Sequence, residues 1–525
     1  MTPPPRVALG LFPLLFLLLV AVAPVARLLA EGWGTGDMAF WALWGDDYLR
    51  GRVLWSFAQA AMSSCMALLI GLPLAWVLAR LEFRGRTLLL RALMLPFVVP
   101  TLVAALGVLA LAGPRGLIGV DASDTPWLLL YGNLFFNLCL VVRAATEGFE
   151  HVSATRVAAA RTLGASPWRA FLRVEWPELR PWLASAGCLV FLYCLSGFGL
   201  ALVLGGPRWA TAEVEIYTLV AHELALGQAG VLAVWMLLFN GAVALAYAAI
   251  EQRLAAPARS LPIPRRPVRR VGEWLALSAA LLALAVFAAA PLLALLARAA
   301  PAWSDGSAWG VLSEPDTHRA LFNTLRFSAM ALALALLLGL AHALSAQALR
   351  RGGVAWRAAA FLPFVVSPIT VAFGLLLLYP ALTASLPLLV AAYALIAYPF
   401  IARSLAAALD ALPPSLGQAA ATLGASPARV LWRVTLPLVA PALRRGSAFA
   451  AATMLGEFAV SLFLSRPEWL TLTTLIHQRL GRPGEANLQA ALVLSLLLLL
   501  IALAAFVLIE GGARRRTALP HARTA

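Results

Sequence analysis

One nine-residue stretch occurs twice in this sequence and decides how the rest of the chain is interpreted. It reads AARTLGASP at Ala159–Pro167 and AAATLGASP at Ala419–Pro427. The match continues beyond both copies, where residues recur in pairs: Arg169 and Arg429, Arg173 and Arg433, Pro177 and Pro437, Pro181 and Pro441. Since the copies stand about half a chain length apart, the sequence predicts two similar halves.

Each copy has the residue order of a helix, a tight turn and a second helix. Gly164 suits the left-handed position just after a helix end. Ser166 is a favourable cap for the next helix, and Pro167 fits its first turn. We expect this second, short helix to run to about Glu175 and to stop before Pro177. The second copy repeats the order with Gly424, Ser426, Pro427 and Pro437.

Apolar segments of about 20 residues, the length that crosses a bilayer as a helix, surround both loops. In the first half they lie at about 8–29, 54–79, 88–111, 127–146, 183–204 and 231–250. In the second half they lie at about 274–297, 324–348, 354–379, 386–406, 443–464 and 488–509. We number these predicted spans 1 to 12. The sequence therefore predicts an all-α polytopic membrane protein.

The domain organisation follows from the spacing of these spans. We expect a first half at 1–252, a linker at 253–273 and a second half at 274–525. Both halves hold six spans in the same direction, which makes them parallel repeats. The linker contains PIPRRP at Pro262–Pro267, which favours an extended segment over a helix. We define the first and second Gly-Ala-Ser-Pro loops as residues 157–181 and 417–441.

The first span has a second interpretation. It follows a single arginine, Arg6, and its end at Pro24–Ala26 resembles a signal-peptide cleavage region. The regular six-span pattern of both halves favours a retained helix.

The arginines predict the orientation of the chain. With both termini in the cytoplasm, the inner loops hold most of the arginines and the outer loops hold mainly Asp and Glu, as the positive-inside rule requires. The inner clusters are Arg80–Arg91, Arg143–Arg180, Arg253–Arg270, Arg350–Arg357, Arg403–Arg445 and Arg514–Arg523. Both Gly-Ala-Ser-Pro loops then lie on the cytoplasmic side.

The composition excludes several functions. All 40 basic residues are arginine, so the chain has no lysine for a Walker A nucleotide site or for Schiff-base chemistry. The net charge of +16 is spread over short loops, which is typical of topology signals and not of a nucleic-acid surface. The four cysteines lie in apolar spans and the six histidines are scattered, so we expect buried thiols and no metal site.

The loops are candidates for docking a partner. Arginine near the bilayer centre costs about 2.5–3.5 kcal/mol, so each short helix must lie at the membrane surface. Two matching copies on a pseudo-twofold scaffold fit a symmetric partner dimer, although a plain connecting helix is the alternative. The candidate docking residues are Ala159, Gly164, Ser166, Pro167, Arg169, Arg173 and Pro177, with Ala419, Gly424, Ser426, Pro427, Arg429, Arg433 and Pro437.

These loops resemble the "EAA" loop of ABC importer permeases. In that family the loop forms a coupling helix that sits in a cleft of a separate ATP-hydrolysing subunit. The acidic first position of the family pattern is Ala158 in one copy and Gln418 in the other, whereas the glycine and terminal proline are present. The resemblance covers nearly the whole chain, twice. It implies a type I importer permease whose two halves are fused into one polypeptide.

Two further stretches resemble the thiamine permeases of this superfamily. They are VEWPELR at Val174–Arg180 and LVLGGP at Leu202–Pro207, and Leu455–Phe458 in the second half also fits. Fused ferric-iron permeases share similar loops, which leaves ferric iron as an alternative substrate. The resemblance implies two copies of a cytoplasmic ATPase and a periplasmic binding protein as partners. It implies no cofactor on this chain, with ATP and Mg used by the ATPase.

Glu457 is the one ionisable residue that the pattern places deep inside a span, and such residues are usually functional. It stands about 14 residues from Leu443, or roughly 21 Å along a helix. The repeat pairs it with Gly197, so the substrate pathway (Glu457 and Gly197) would be asymmetric. We expect Glu457 to attract a cationic substrate; the alternative is a structural carboxylate, hydrogen-bonded to its surroundings.

Prolines recur near the start of spans 3 and 9, at Pro96 and Pro100 and at Pro363 and Pro368. They would bend these spans, because proline removes a backbone donor, and the bends would serve either gating or packing. GGPRW at Gly205–Trp209 follows span 5 and is either a contact for a binding protein or a simple turn.

Two other classes of protein remain as alternatives. An ion-driven secondary transporter with twelve helices usually carries several charged residues inside its spans, and here the pattern gives one. A membrane-embedded enzyme would need a cluster of His, Ser or metal ligands at one depth, which the spacing does not supply.

The pathway hypothesis for Glu457 predicts a transport defect. Glu457→Gln and Glu457→Ala should both lower substrate uptake, because each removes the negative charge. Uptake is measured in variants whose assembly is verified by co-purification of the complex. Wild-type uptake in both variants would contradict the pathway role.

Overall fold

The computed structural model describes residues 5–34, 40–254, 261–349, 353–382, 385–464 and 466–511. Within these ranges, nine helices are long and apolar enough to cross a membrane. They are Leu11–Trp33, Asp47–Arg80, Pro126–His151, Pro167–Leu195, Leu226–Glu251, Val271–Ser304, Pro315–Ala348, Leu386–Asp410 and Glu485–Glu510. These helices cover predicted spans 1, 2, 4, 6, 7, 8, 10 and 12 and the first part of span 5. The prediction of an all-α membrane protein is confirmed.

The other three predicted spans are not continuous helices, which corrects the sequence analysis. Span 3 is bent by 102° between the segments Arg86–Phe97 and Thr101–Ala112. Span 9 is divided into Gly353–Ala359, Leu362–Val365 and Pro368–Leu378. The prolines explain both breaks, because each lacks an N–H donor and its ring crowds the preceding turn.

Spans 5 and 11 end in a second type of break. The helix that ends at Leu195 is followed by a separate helix at Gly199–Leu204. The helix Leu436–Leu455 is likewise followed by Ala459–Leu464. Predicted span 11 is therefore interrupted at Gly456–Phe458, and Glu457 lies in the interruption and not within a helix.

The described chain forms two compact units that do not coincide with the sequence halves. Unit 1 contains Met1–Ala30, Val98–Pro100 and Gly306–Ala525, and unit 2 contains Glu31–Phe97 and Thr101–Asp305. Span 1 therefore packs with helices of the second half. Span 7 packs with helices of the first half, so the halves exchange their first spans.

A glycine contact holds the exchanged span in each unit. In unit 2, a Cβ added to Gly107 of span 3 would stand 2.7 Å from the carbonyl oxygen of Pro291 in span 7. In unit 1, a Cβ on Gly374 of span 9 would stand 2.9 Å from the carbonyl oxygen of Pro24 in span 1. Small residues allow this close backbone approach between membrane helices.

Four π turns occur in the described part of the chain, and each precedes a proline by two residues. They are Leu18–Val22 before Pro24, Phe171–Glu175 before Pro177, Ala285–Ala289 before Pro291, and Leu431–Thr435 before Pro437. A proline inside an α-helix clashes with the carbonyl four residues earlier. A π turn widens the helix by one residue, which lets the helix continue through the proline.

Shorter elements complete the fold. The helices are Pro5–Ala8, Ala154–Thr162, Ala212–Ala221, Ser307–Ser313, Pro414–Thr422 and Leu472–Leu480, with 3₁₀ turns at Ala42–Gly45, Leu95–Phe97, Pro380–Leu382 and Pro467–Trp469. Arg266–Pro267 of the linker pairs as a parallel strand with Leu81–Glu82. Residues 261–270 of the linker, which include Pro262–Pro267, are not helical, as predicted, whereas its described ends belong to the neighbouring helices. Arg350, Arg351 and the arginines at 514–523 lie outside the described residues.

The cysteine prediction is correct only in part. Cys139 and Cys194 are buried thiols, but Cys65 is exposed. Cys65 lies on the face of helix Asp47–Arg80 that turns away from the core, and the sequence pattern of a uniformly apolar span does not distinguish the two faces.

The exchanged first spans predict sensitivity at the glycine contacts. Gly107→Leu and Gly374→Leu should each lower the free energy of unfolding by about 1–3 kcal/mol, the usual cost of overpacking. Thermal unfolding of the purified protein measures the change. Gly51→Leu is the control, because no atom lies within 4 Å of a Cβ built there. Equal stability of all three variants would contradict these contacts.

Candidate functional site

The first Gly-Ala-Ser-Pro loop has the predicted turn. Helix Ala154–Thr162 ends at Leu163, and Gly164 has a left-handed φ of +83°. The N–H of Ala165 donates to the carbonyl of Ala160 at 3.0 Å, which is the six-residue bond of a Schellman motif. Ser166 Oγ then accepts from the N–H of Arg169 at 3.3 Å and caps the next helix, as predicted.

The second loop has the same geometry. Gly424 has a φ of +79°. The N–H of Ala425 donates to the carbonyl of Ala420 at 3.1 Å, and Ser426 Oγ accepts from the N–H of Arg429 at 3.4 Å. The helix begins at Pro427. Two stretches that share a sequence thus share a conformation, each in its own unit.

The fourteen predicted docking residues are all exposed, which is what a partner surface requires. In the first loop they are Ala159, Gly164, Ser166, Pro167, Arg169, Arg173 and Pro177. In the second they are Ala419, Gly424, Ser426, Pro427, Arg429, Arg433 and Pro437.

The predicted end of the short helix is wrong. The helix that begins at Pro167 does not stop before Pro177 but continues to Leu195. The N–H of Trp176 bonds to the carbonyl of Phe171, five residues earlier, and this π turn accommodates the proline. The second copy continues in the same way, from Pro427 through the π turn to Leu455. Each loop is therefore joined to a membrane span by a continuous helix.

Sequence reasoning missed the most exposed apolar side chain of each loop. Leu163 is 88% exposed and Leu423 is 89% exposed, at equivalent helix ends. Isolated exposed leucines are common, but here the same exposed leucine recurs at the ends of two matched helices, and we interpret the pair as an apolar anchor for a partner. The repeated Thr-Leu-Gly in both copies was the available signal.

The two pathway candidates lie at equivalent helix breaks, one in each unit. Gly197 lies between the helices that end at Leu195 and begin at Gly199. Glu457 lies at the corresponding break, where its Oε1 accepts from the N–H of Val460 at 3.0 Å and caps the following helix. The backbone carbonyl of Glu457 also accepts from Thr473 Oγ1 at 3.1 Å. The Glu457 side chain therefore has a structural role as the cap of the helix Ala459–Leu464.

A buried amide network fills the break in unit 2. A helix end leaves carbonyls without an intrahelical donor, and Gln59 Nε2 donates to the carbonyl of Cys194 at 2.8 Å. Gln59 Oε1 accepts from Asn133 Nδ2 at 2.8 Å, and Asn133 Nδ2 also donates to Ser63 Oγ at 3.0 Å. Sequence reasoning overlooked these residues, although polar side chains in apolar spans signal such bonds.

Each of the two helix breaks has an aromatic contact with a neighbouring short helix. Phe198 packs against Tyr217 with ring centroids 5.6 Å apart, and Phe458 packs against His477 at 5.1 Å. Tyr217 and His477 belong to the equivalent helices Ala212–Ala221 and Leu472–Leu480. Each break is therefore in direct contact with the short helix that follows it.

Those short helices are fastened to spans 2 and 8 in the same manner. Ser56 Oγ accepts from the N–H of Ala212 at 2.8 Å, and Thr324 Oγ1 accepts from the N–H of Leu472 at 2.9 Å. In unit 2, Trp55 Nε1 also donates to the carbonyl of Trp209 at 2.8 Å. The segment Gly205–Trp209 is thus held in place by span 2.

Arg52 adds a charged contact to this fastening. Its guanidinium donates to the carbonyl of Pro207 at 2.9 Å and lies 3.4 Å from a carboxylate oxygen of Glu215. Burial raises the pKa of Glu215 above its usual value, while Tyr48 and Arg52 oppose that shift. The Glu215 carboxylate thus holds Arg52, which in turn bonds to the segment Gly205–Trp209, and burying this carboxylate costs desolvation free energy.

The fold and the loops together define a class of protein. A multi-pass chain with two parallel repeats, each presenting an exposed helical loop joined to a span, is built as the membrane component of a transporter. The family model described as "Binding-protein-dependent transport system inner membrane component" matches residues 67–256 and 278–517. The chain belongs to this family of multi-pass inner-membrane ABC importer permeases, which work with an ATPase and a binding protein.

The similar curated proteins include fused and single permeases. The chain is 27% identical to the thiamine transport system permease protein ThiP of Escherichia coli, over 94% of each chain. It is 28% identical to the protein of that name from Salmonella typhimurium, again over 94% of each. It is 31% identical to the sulfate transport system permease protein CysW of Synechocystis over 43% of this chain and 86% of that relative. Less than half of this chain thus matches most of a single permease.

If Leu163 and Leu423 anchor the ATPase, replacing both of them should weaken its binding. Replacing Leu163 and Leu423 together with Asp should weaken binding of the cognate ATPase by roughly 30-fold or more, the effect of losing a hot spot of about 2 kcal/mol. Binding is measured by co-purification and by titration of the ATPase onto the detergent-solubilised chain. Leu224→Asp is the control, because Leu224 is 77% exposed and lies outside both loops. Unchanged binding in the double variant would contradict the anchor role.

Proposed function

We propose that this chain is the membrane-spanning subunit of an importer for thiamine or its phosphates. What supports this substrate is the name of the full-length relatives together with the alignment over nearly the whole of both chains. Thiamine is cationic through its thiazolium ring, which is compatible with the single carboxylate at the break of span 11.

The two Gly-Ala-Ser-Pro loops are the proposed docking sites for two copies of a cytoplasmic ATPase. The observation that carries this assignment is the matched pair of exposed loops with the same glycine turn, serine cap and protruding leucine. ATP and Mg would be used in that partner, and this chain would supply neither a nucleotide site nor another cofactor. Both termini and both loops would face the cytoplasm, in keeping with the arginine distribution.

The continuous helices offer a route from the ATPase to the substrate. Helix Pro167–Leu195 has 29 residues, or a length of about 43 Å. It begins in the loop and ends two residues before Gly197. A displacement of the loop would therefore move the helix break directly, without passing through a flexible joint. Helix Pro427–Leu455 would do the same for the break at Glu457.

Glu457 is the proposed electrostatic contact for a cationic substrate. It is partly exposed and lies two residues after the end of the helix Pro427–Leu455. Its cap bond to Val460 uses one oxygen, Oε1. The break at Gly197 would provide backbone without a side chain at the equivalent position in the other half.

Substrate-stimulated ATP hydrolysis tests the proposal. The chain is reconstituted in proteoliposomes with its genomic-neighbour ATPase and binding protein, and ATP hydrolysis is measured with the binding protein loaded with thiamine, thiamine diphosphate or ferric iron. We expect severalfold stimulation by thiamine or its phosphate. If only ferric iron stimulates hydrolysis, thiamine is not the substrate and ferric iron is. If the ATPase does not associate with the chain, the docking assignment is overturned.

A further inference from the structure

Two carboxylates of the first Gly-Ala-Ser-Pro loop tie it to neighbouring parts of the chain. Glu175 lies 2.5 Å from Arg80, and both side chains are less than 15% exposed. Glu178, which is 20% exposed, lies 3.0 Å from Arg156, which is 59% exposed, and also accepts from the N–H of Ser153 at 3.4 Å. Glu178 thus ties the start of helix Ala154–Thr162 to the helix that leads into span 5.

The linker between the halves contacts the start of the helix that leads into the same loop. The carbonyl of Leu261 accepts from the N–H of Ala154 at 2.9 Å. Arg265 lies 2.9 Å from Glu150 and 3.4 Å from Glu82, at the parallel strand pair. Arg86 reaches Glu150 as well, at 2.8 Å. The helix that precedes the loop, the linker and the end of span 2 therefore form one charged network.

The second loop has other residues at the equivalent positions. Arg156 and Glu178 correspond to Leu416 and Leu438, so two leucines replace an ion pair. Ser153 corresponds to Pro413, which has no N–H to donate.

Other members of the network are also replaced in the second half. Glu175 corresponds to Thr435, which cannot form an ion pair. Asp410 replaces Glu150 and lies 2.6 Å from Arg357, but both of these side chains are more than 40% exposed. Exposed pairs contribute little to stability.

We infer that the two loops differ in stiffness, the first being a braced contact and the second a compliant one. Their backbone turns match, so within the described residues the difference lies in the ion pairs and in the linker. Local stability varies within a protein according to such contacts. The consequence for transport rests on the proposed function: two identical ATPase subunits would then grip two mechanically unequal loops.

Hydrogen exchange on the full chain in lipid nanodiscs, without any ATPase, tests the inference. Amides of Ala154–Ala165 should exchange at least about fivefold more slowly than those of Pro414–Ala425, the factor that corresponds to roughly 1 kcal/mol. The double variant Glu175→Gln with Glu178→Gln should move exchange in the first loop toward the rate of the second, with the linker contacts still in place. Glu147→Gln is the matched control, because its pair with Arg143 is exposed and lies within one helix.

A transplanted brace provides the converse test. Leu416→Arg with Leu438→Glu rebuilds the missing ion pair and should slow exchange in the second loop alone. Equal exchange in the two wild-type loops would overturn the inference, as would an unchanged second loop in the transplant. Co-purification of the ATPase with the wild-type chain is measured separately. If the ATPase does not bind but the two loops still exchange at different rates, the proposed function is contradicted and the difference in stiffness stands.

Discussion

The rest of the structure depends on one constraint: a helix must pass through a proline without ending. In an α-helix, the ring of Pro177 would clash with the carbonyl of Arg173. The π turn at Phe171–Glu175 removes that clash, and the helix continues from Pro167 to Leu195. The same device at Leu431–Thr435 serves the second half. Because of it, the first Gly-Ala-Ser-Pro loop and a helix break about 43 Å away belong to a single continuous helix.

The ends of these elements are stabilised differently in the two units. In unit 2, Gln59 and Asn133 supply amide donors and acceptors at the break beside Gly197. In unit 1, Glu457 caps its own following helix and Thr473 binds its carbonyl. Backbone groups in a bilayer must find partners within the protein, so each break needs such polar residues. An apparently symmetric scaffold thus places an amide cluster in one unit and a carboxylate in the other.

Much of this could be predicted from the sequence. Local rules placed the glycine turn at Gly164 and the serine cap at Ser166, because both depend on neighbouring residues only. The end of the short helix before Pro177 was predicted wrongly. Proline is expected to interrupt an α-helix, but the π turn at Phe171–Glu175 lets the helix continue through it. The exchange of spans 1 and 7 depends on contacts such as Gly107 with Pro291, which are remote in sequence and carry no local signal. The contacts of the linker were equally hidden, since Leu261 meets Ala154 and Arg265 meets Glu150 only in the folded chain.

The central claim is that loop and span move as one body during transport. Spin labels at Trp168→Cys and Phe191→Cys, in a chain whose four native cysteines are replaced, stand about 35 Å apart along the helix. Their distance is measured by pulsed electron resonance in the assembled transporter, first without nucleotide and then with ATP bound. We expect the same distance in both states. A change approaching one helical turn, about 5 Å, would show that the helix bends at the π turn and would contradict the account.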